Sequence, residues 1–294
     1  MTTIIAMTWK EMLRKRVMLL TLLMTTVFMV AFWFVAQTIG ADLRTNGGGS
    51  EQSVSYLIER FKLGSMILAL GFFFGSFVTA FLSIFSSFSS VAGEAEQGVL
   101  LALLPRPLAR WRWYAGRWIG YVTLGIGYAL LLFVSIMLVA RYHAAIPLDW
   151  LLLVKSFVLF AWVVPLLVSV SMLGSCLFSA LGNGVFMTML FGAGWLGGMI
   201  EKVSGSLLRR DASLQPLKTI AGLMSLIMPA DSIQQRMLSE MFSLSDITGL
   251  MNINQSLGPF GFGQEPTNLF LLYTACYTLA ALVLGMWIFQ RKDL

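Results

Sequence analysis

Between Ser156 and Ile200 the chain runs for 45 residues without one charged side chain. In water such a stretch would need burial on every side. The chain cannot supply that cover, because 57% of its 294 residues are hydrophobic and only 12% are charged, against roughly 25% charged in an ordinary soluble domain. The sequence is therefore read as an integral membrane protein of the all-α, helical-bundle class. A helix rises about 1.5 Å per residue, so crossing a hydrocarbon core of about 30 Å takes about 20 apolar residues.

Six such crossings are expected. Val17 to Ile39 is the first; it is too long for the apolar part of a secretory signal, and no small-x-small cleavage pattern follows. Leu63 to Ala92 is the second and Trp118 to Ala140 the third. The uncharged stretch is too long for one crossing, and Gly182-Asn183-Gly184 favours a turn within it. That divides it into spans at 150–173, with Lys155 reaching back to the headgroups by its stem, and at 185–200. Asn268 to Gln290 completes a polytopic single transmembrane domain over 1–294, with an outer segment at 201–267.

The basic residues set the orientation, because short loops rich in Lys and Arg stay on the cytoplasmic side. Lys10, Arg14, Lys15 and Arg16 precede span one; Arg106, Arg110, Arg112 and Arg117 lie between spans two and three; Arg291 and Lys292 follow span six. The short segments on the other side hold only Arg44, Arg60, Lys62, Arg141 and Lys155. Both termini are thus expected in the cytoplasm, although the connection between spans four and five carries no basic residue. The net charge of +6 follows this topology, and no nucleic-acid partner is expected. In the outer segment, Thr219 to Ala230 is apolar but too short to cross: it suits either a helix that enters and leaves on one side or the core of a small external cap. The loop Asn46-Gly47-Gly48-Gly49-Ser50 reads as flexible and exposed.

Enzymatic chemistry has little to work with. The single histidine, His143, falls in a short outer loop, so there is no His-Glu-x-x-His helix and no Ser-His or Cys-His pair. Cys176 and Cys276 lie in or beside apolar runs and read as small apolar residues. No metal, no cofactor and no catalytic residue is expected. Carboxylates facing one another within spans, as an ion-coupled carrier uses, are not evident. No Gly-x-x-x-x-Gly-Lys-Ser/Thr loop is present to cradle nucleotide phosphates, so energy must come from elsewhere.

The informative constellation follows span two. Gly93-Glu94-Ala95-Glu96-Gln97-Gly98 leads into the apolar Val99 to Leu104, then Pro105-Arg106-Pro107-Leu108-Ala109-Arg110, and Gly116-Arg117 at the mouth of span three. Four leucines are too few for a span, and Pro105 and Pro107 stop their helix abruptly. This order resembles the ABC-2 (type V) family of ABC exporter permeases, with Glu96, Gly98, Leu103, Leu104, Pro107, Arg110, Gly116 and Arg117 matching in sequence. Val99 stands where the family usually has threonine, and Arg117 where lysine is commoner. The resemblance implies a permease dimer, as homodimer or related heterodimer, carrying two copies of a separate ABC ATPase, in the cytoplasmic membrane of a bacterium. It also makes 93–117 a cytoplasmic coupling element in which Glu94, Glu96, Gly98, Pro107, Arg110, Gly116 and Arg117 are the candidates for ATPase coupling or an inner gate. Glu94 and Glu96 could equally pair with nearby arginines. A membrane scaffold or sensor whose outer segment binds a partner is the alternative reading.

At the amino terminus, Ile5, Trp9 and Met12 recur at spacings of four and three, while Lys10, Arg14 and Lys15 occupy other faces. Residues 2–16 are expected to form an amphipathic interfacial helix against membrane lipid, with Glu11 and Lys15 an i,i+4 pair. The pairs Gly71/Gly75, Gly116/Gly120 and Gly194/Gly198 allow close backbone approach, within one subunit or across a dimer. The 18 Met and 22 Phe residues could line an adaptable apolar path or face lipid.

Overall fold

A computed structural model describes residues 2–14, 16–46, 54–98, 109–144, 149–207, 215–242 and 266–291, and every regular element among them is helical. In chain order these are α1 (Thr2–Arg14), α2 (Arg16–Asn46), α3 (Val54–Ser87), α4 (Ala92–Glu96), α5 (Arg110–Ala144), α6 (Trp150–Leu177), α7 (Ala180–Leu207), α8 (Gln215–Ile227), α9 (Ala230–Met241) and α10 (Asn268–Arg291). Among them α2, α3, α5, α6, α7 and α10 are long and apolar enough to cross a membrane.

The most hydrophobic helix occupies the centre. α6 is apolar on all sides, as a helix enclosed by others must be, and it packs against α3, α5, α7, α9 and α10. Phe160, Val164, Leu166, Leu167, Val168 and Met172 are buried along it. Asp149 starts it, its Oδ1 accepting the Leu151 amide at 3.2 Å. At the other extreme, α2 leaves Leu19, Leu23, Val27, Val30 and Phe34 exposed, and α10 leaves Leu272, Leu279 and Val283. Such surface is stable only against lipid or another apolar chain.

Lipid tails are as apolar as leucine, so close packing and polar contacts hold such a bundle together. All three glycine pairs act inside the chain. A Cβ at Gly71 would lie 2.7 Å from Phe32 and one at Gly75 2.8 Å from Ile136, which joins α3 to α2 and α5. Gly116 and Gly120 receive α1, and Gly194 and Gly198 receive the α8–α9 hairpin. The dimer role considered for these pairs finds no support in this packing.

The turn between α6 and α7 falls at Phe178-Ser179 rather than at Gly182-Asn183-Gly184, which lies in the first turn of α7. The reason is the polar work the region does. Ser179 Oγ accepts the Gly182 amide at 3.2 Å, and Glu96 Oε1 accepts the Ala180 amide at 3.0 Å, so donors at the new helix end are capped. Asn183 is fully buried and donates to Phe88 O (2.7 Å) and Ser171 O (2.8 Å), stapling α7 to α6 and to the chain after α3. An Asn183→Leu variant leaves both carbonyls without that donor, at about 1–3 kcal/mol for a buried unsatisfied group. Its thermal unfolding midpoint in detergent is expected to fall by about 2–6 °C, at about 2 °C per kcal/mol for a chain of this size. Thr188→Val, which removes only a hydroxyl bonded within its own helix to Gly184 O, should move it far less.

Two ends of the bundle can be distinguished. α1, the start of α5 and the end of α10 meet at what we call the terminal end, where Arg110 Nη1 donates to Gln290 O at 3.2 Å. The far end holds the ends of α2 and α5, where Trp33 stacks on Tyr142 at 5.5 Å and meets the His143 ring edge-on at 4.8 Å. It also holds the end of α7 and the α8–α9 hairpin. The apolar Thr219–Ala230 stretch covers most of α8 and the break at Met228-Pro229; α8 lies along α7, while α9 packs on α6, α3 and α7.

Candidate functional site

Arg117 sits two turns into α5, facing α1 and α4, and is only 3% exposed. Its terminal nitrogens make ion pairs with Glu11 of α1 and Glu94 of α4. The guanidinium lies over the Trp113 ring, 5.4 Å from its centroid, and 5.8 Å from that of Tyr121. Two carboxylates and two ring faces are served at once, an arrangement better matched by a planar fork with donors on separate nitrogens than by the compact point charge of an ammonium. That accounts for arginine at a position where the resembled family more often has lysine.

α4 is a short elbow between α3 and the span that follows it. Ser175 Oγ, near the end of α6, accepts the amides of Val91 and Ala92, each at 3.0 Å. Gly98 ends the elbow at φ +71°, with its amide on Ala95 O at 3.1 Å. That left-handed position is the glycine-favouring helix stop, a backbone reason for the glycine in the motif. Residues 88–98 therefore hold the terminal ends of four other helices: α1 and α5 through Arg117, α6 through Ser175, and α7 through Asn183 and Glu96.

The candidates are thus not one cluster. Glu94 and Arg117 are joined directly, with Glu11 as a third member. Glu96 is exposed and acts on α7, and Arg110 acts on α10. Gly116 lies under α1, where a Cβ would come 3.0 Å from Ile4 Cγ2. Leu103, Leu104 and Pro107 lie outside the described residues. So does Lys15, the expected partner of Glu11, which the structure pairs with Arg117.

α1 packs on α5 as well as presenting a face outward. Its buried face runs through Thr8 and Met12, with Ile4 and Thr8 seated on Gly116 and Gly120, so it is turned by one residue from the expected Ile5–Trp9–Met12 stripe. The glycines admit Ile4 and Thr8 closely, and Glu11 then reaches Arg117. Trp9 lies across the seam, its Nε1 donating to Gly120 O (3.2 Å) and Thr123 Oγ1 (3.1 Å). Lys10 and Arg14 are exposed and, with Thr3, Ala6, Met7 and Glu11, line a groove on the open face.

Sequence reasoning missed Glu11, Ser175 and Asn183 as members of this network. Glu11 had one available signal, an acidic residue in an otherwise basic interfacial helix. The two span residues had none, since a single Ser or Asn in an apolar run does not say which helix it faces.

Among the described residues no group of three or more His, Cys, Asp or Glu side chains is placed to hold a metal ion. Cys176 is buried, with its Sγ donating to Gly285 O at 3.8 Å, and Cys276 is exposed; neither is in a disulfide. Between α2 and α3 lies an open apolar groove of about 510 Å³, lined by Met24, Phe28, Phe32, Phe74 and Phe77 among others. Several of the lining residues, Leu23, Met24, Val27 and Phe74 among them, are exposed, so the groove opens on the face that α2 presents outward.

No curated protein matches the chain. A family model does: the one described as ABC-2 family transporter protein matches residues 5–294. With six apolar helices and the Glu-x-Gly elbow ahead of span three, the chain belongs to the ABC-2 family as a transporter permease.

Proposed function

We propose that the chain is the membrane-spanning subunit of an ATP-driven exporter, energised by two copies of a separate ABC ATPase and working beside a second permease copy. The observation that carries this reading is the buried Arg117, which fixes the exposed helix α1 and the elbow α4 to the same turn of span three. A force applied to either element from the terminal end reaches the spans through that joint. The groove on α1, with Lys10 and Arg14 at its edge, offers a cationic surface to the acidic side chains of an ATPase. In this reading the terminal end is cytoplasmic, as the basic segments require, and the compound leaves from the cytoplasm or the inner leaflet.

The purified chain alone is expected to show no ATP affinity in the micromolar range, because nothing in its sequence forms a phosphate-binding loop. Co-expressed with an ATPase encoded beside it, it should form a complex that hydrolyses ATP. In intact cells, cysteines at Gly48 and Ser243 should react with an impermeant thiol reagent, and one at Ala109 should not. Reaction at position 109, or tight ATP binding by the isolated chain, removes this reading.

A further inference from the structure

The far end of the bundle contains a second buried ion pair. Lys202, at the end of the apolar part of α7, places Nζ 3.0 Å from Asp231 Oδ1 in the first turn of α9, and the two side chains are 5% and 4% exposed. Gln235 Nε2 donates to Asp231 Oδ2 at 2.7 Å, and Lys202 Nζ lies 5.9 Å from the centre of the Phe73 ring on α3. Glu201 is the remaining charged neighbour on α7.

The surroundings show why the pair is unusual. α9 reads Ala-Asp-Ser-Ile-Gln-Gln-Arg-Met-Leu-Ser-Glu-Met, a polar helix, yet Ala230 to Gln235 are all buried among α3, α6 and α7. Polar groups at such a place are costly and are functional candidates by default. The chain break at Met228-Pro229 leaves the last carbonyls of α8 without helical partners. Two tyrosines of α10 satisfy them: Tyr273 Oη donates to Leu226 O at 2.7 Å and Tyr277 Oη to Ile227 O at 3.0 Å. α8 itself is seated on the glycines of α7, where a Cβ at Gly197 would come 2.9 Å from Ala221 O and one at Gly194 2.6 Å from Met228 O. A Cβ at Gly198 would collide with the Asp231 carboxylate. The first arm of the hairpin is thus fixed by packing. The second, α9, packs chiefly on α6, and its link to α7 is the ion pair together with the close approach of Asp231 to Gly198.

We propose that Lys202 and Asp231 form the tether of the far-end gate, holding the polar arm α9 against α7 while the path is closed and releasing it when that end opens. A tether of charges suits a contact that must be both firm and reversible. Shielded from water the pair attracts strongly, whereas once water enters each partner is solvated and the attraction falls about fourfold as the effective dielectric rises from about 20 to about 80. An apolar contact of the same size has no such release in a membrane, and the polar face of α9 then becomes a surface that water can wet. The inference rests on the transport reading above, and its first test does not depend on nucleotide.

The test uses the full chain in lipid nanodiscs, alone and with its ATPase, in a Cys176→Ala, Cys276→Ser background. A Ser232→Cys substitution places a reporter on buried α9, and its rate of reaction with a water-soluble maleimide is measured. At rest the reporter should react slowly; Lys202→Met, and independently the near-isosteric Asp231→Asn, should raise the rate at least tenfold. The exchanged pair Lys202→Asp/Asp231→Lys should return it to within about threefold of the parent. The apolar pair Lys202→Met/Asp231→Leu should be slow at rest and should lose, at least fivefold, the acceleration that ATP and vanadate produce in the parent complex. Unchanged rates in both single variants overturn the tether. So does an apolar pair that opens with nucleotide like the parent, which leaves only packing. If nucleotide accelerates nothing in the parent while the single variants respond as expected, the tether stands and the ATPase reading fails.

Discussion

Replacing Arg117 with methionine is expected to reduce ATP-driven transport more than tenfold, and removing its two carboxylate partners as well is expected to recover most of the loss. Methionine keeps the apolar stem and a polarisable sulfur beside the aromatic rings, while the charge is deleted together with the guanidinium that lies over Trp113 and Tyr121. It leaves Glu94, 14% exposed, and Glu11, 31% exposed, without their cation. Breaking a buried pair from one side costs about 3–5 kcal/mol. The Glu11 half is partly solvated and is worth nearer 1 kcal/mol or less, so most of the effect lies with Glu94. A double variant Arg117→Met/Glu94→Gln should therefore recover more activity than Arg117→Met/Glu11→Gln, and the triple variant most of all. The readouts are the yield of the permease–ATPase complex and its rate of ATP hydrolysis. Equal activity in Arg117→Met and the parent would show that the cluster only anchors the chain at the interface.

This prediction displaces one that the motif alone would favour, reversal of Arg110 or Glu96. Both residues stand in the resembled pattern, but the structure gives each a helix-end hydrogen bond near solvent, and such caps are worth about 1 kcal/mol. The difference shows what a sequence can carry. Six crossings were legible because hydrocarbon thickness sets a length that apolar runs must meet. That the chain turns after span two was legible from Gly93 and Gly98, but the short helix α4 in that turn was not, and the expected leucine helix with its stop at Pro105 and Pro107 lies outside the described residues. What decides partners was not: Arg117 could face any of several carboxylates, and only the close seating of α1 on Gly116 and Gly120 brings Glu11 to it. Gly182-Asn183-Gly184 misled for a related reason, since the composition that favours a turn also serves a helix start where Asn183 must reach two neighbouring backbones. The Lys202–Asp231 pair escaped notice because its residues fall in the outer segment 201–267, 29 positions apart, and neither is preceded by a local signal that it will be buried.

A bulky side chain at Gly120 is expected to abolish coupling without unfolding the spans. α1 touches α5 where a Cβ at Gly120 would lie 2.8 Å from Thr8 Cβ, closer than ordinary contact allows, and Trp9 donates to the Gly120 carbonyl on the same seam. Gly120→Leu must therefore lift α1 away. Glu11 and Ile4 move with it, and the link from the groove on α1 to Arg117 is lost, while the packing of α5 on α3 and α6 is made by other faces. Gly127 on the same helix provides the control, since a Cβ there meets nothing within 4 Å; Gly127→Leu removes a helix-destabilising glycine worth about 0.5–1 kcal/mol and should be neutral or slightly stabilising. Gly120→Leu should lower ATPase assembly or hydrolysis at least tenfold with the unfolding midpoint of the spans nearly unchanged, and Gly127→Leu should stay within twofold of the parent. The two seam defects should also fail to add. Once α1 is lifted, Glu11→Gln has no contact with Arg117 left to remove, so the part of its effect on coupling that runs through Arg117 should vanish in Gly120→Leu/Glu11→Gln. Full additivity of these two variants would mean that Glu11 acts somewhere other than at Arg117, and α1 would then have to be assigned a role independent of the elbow.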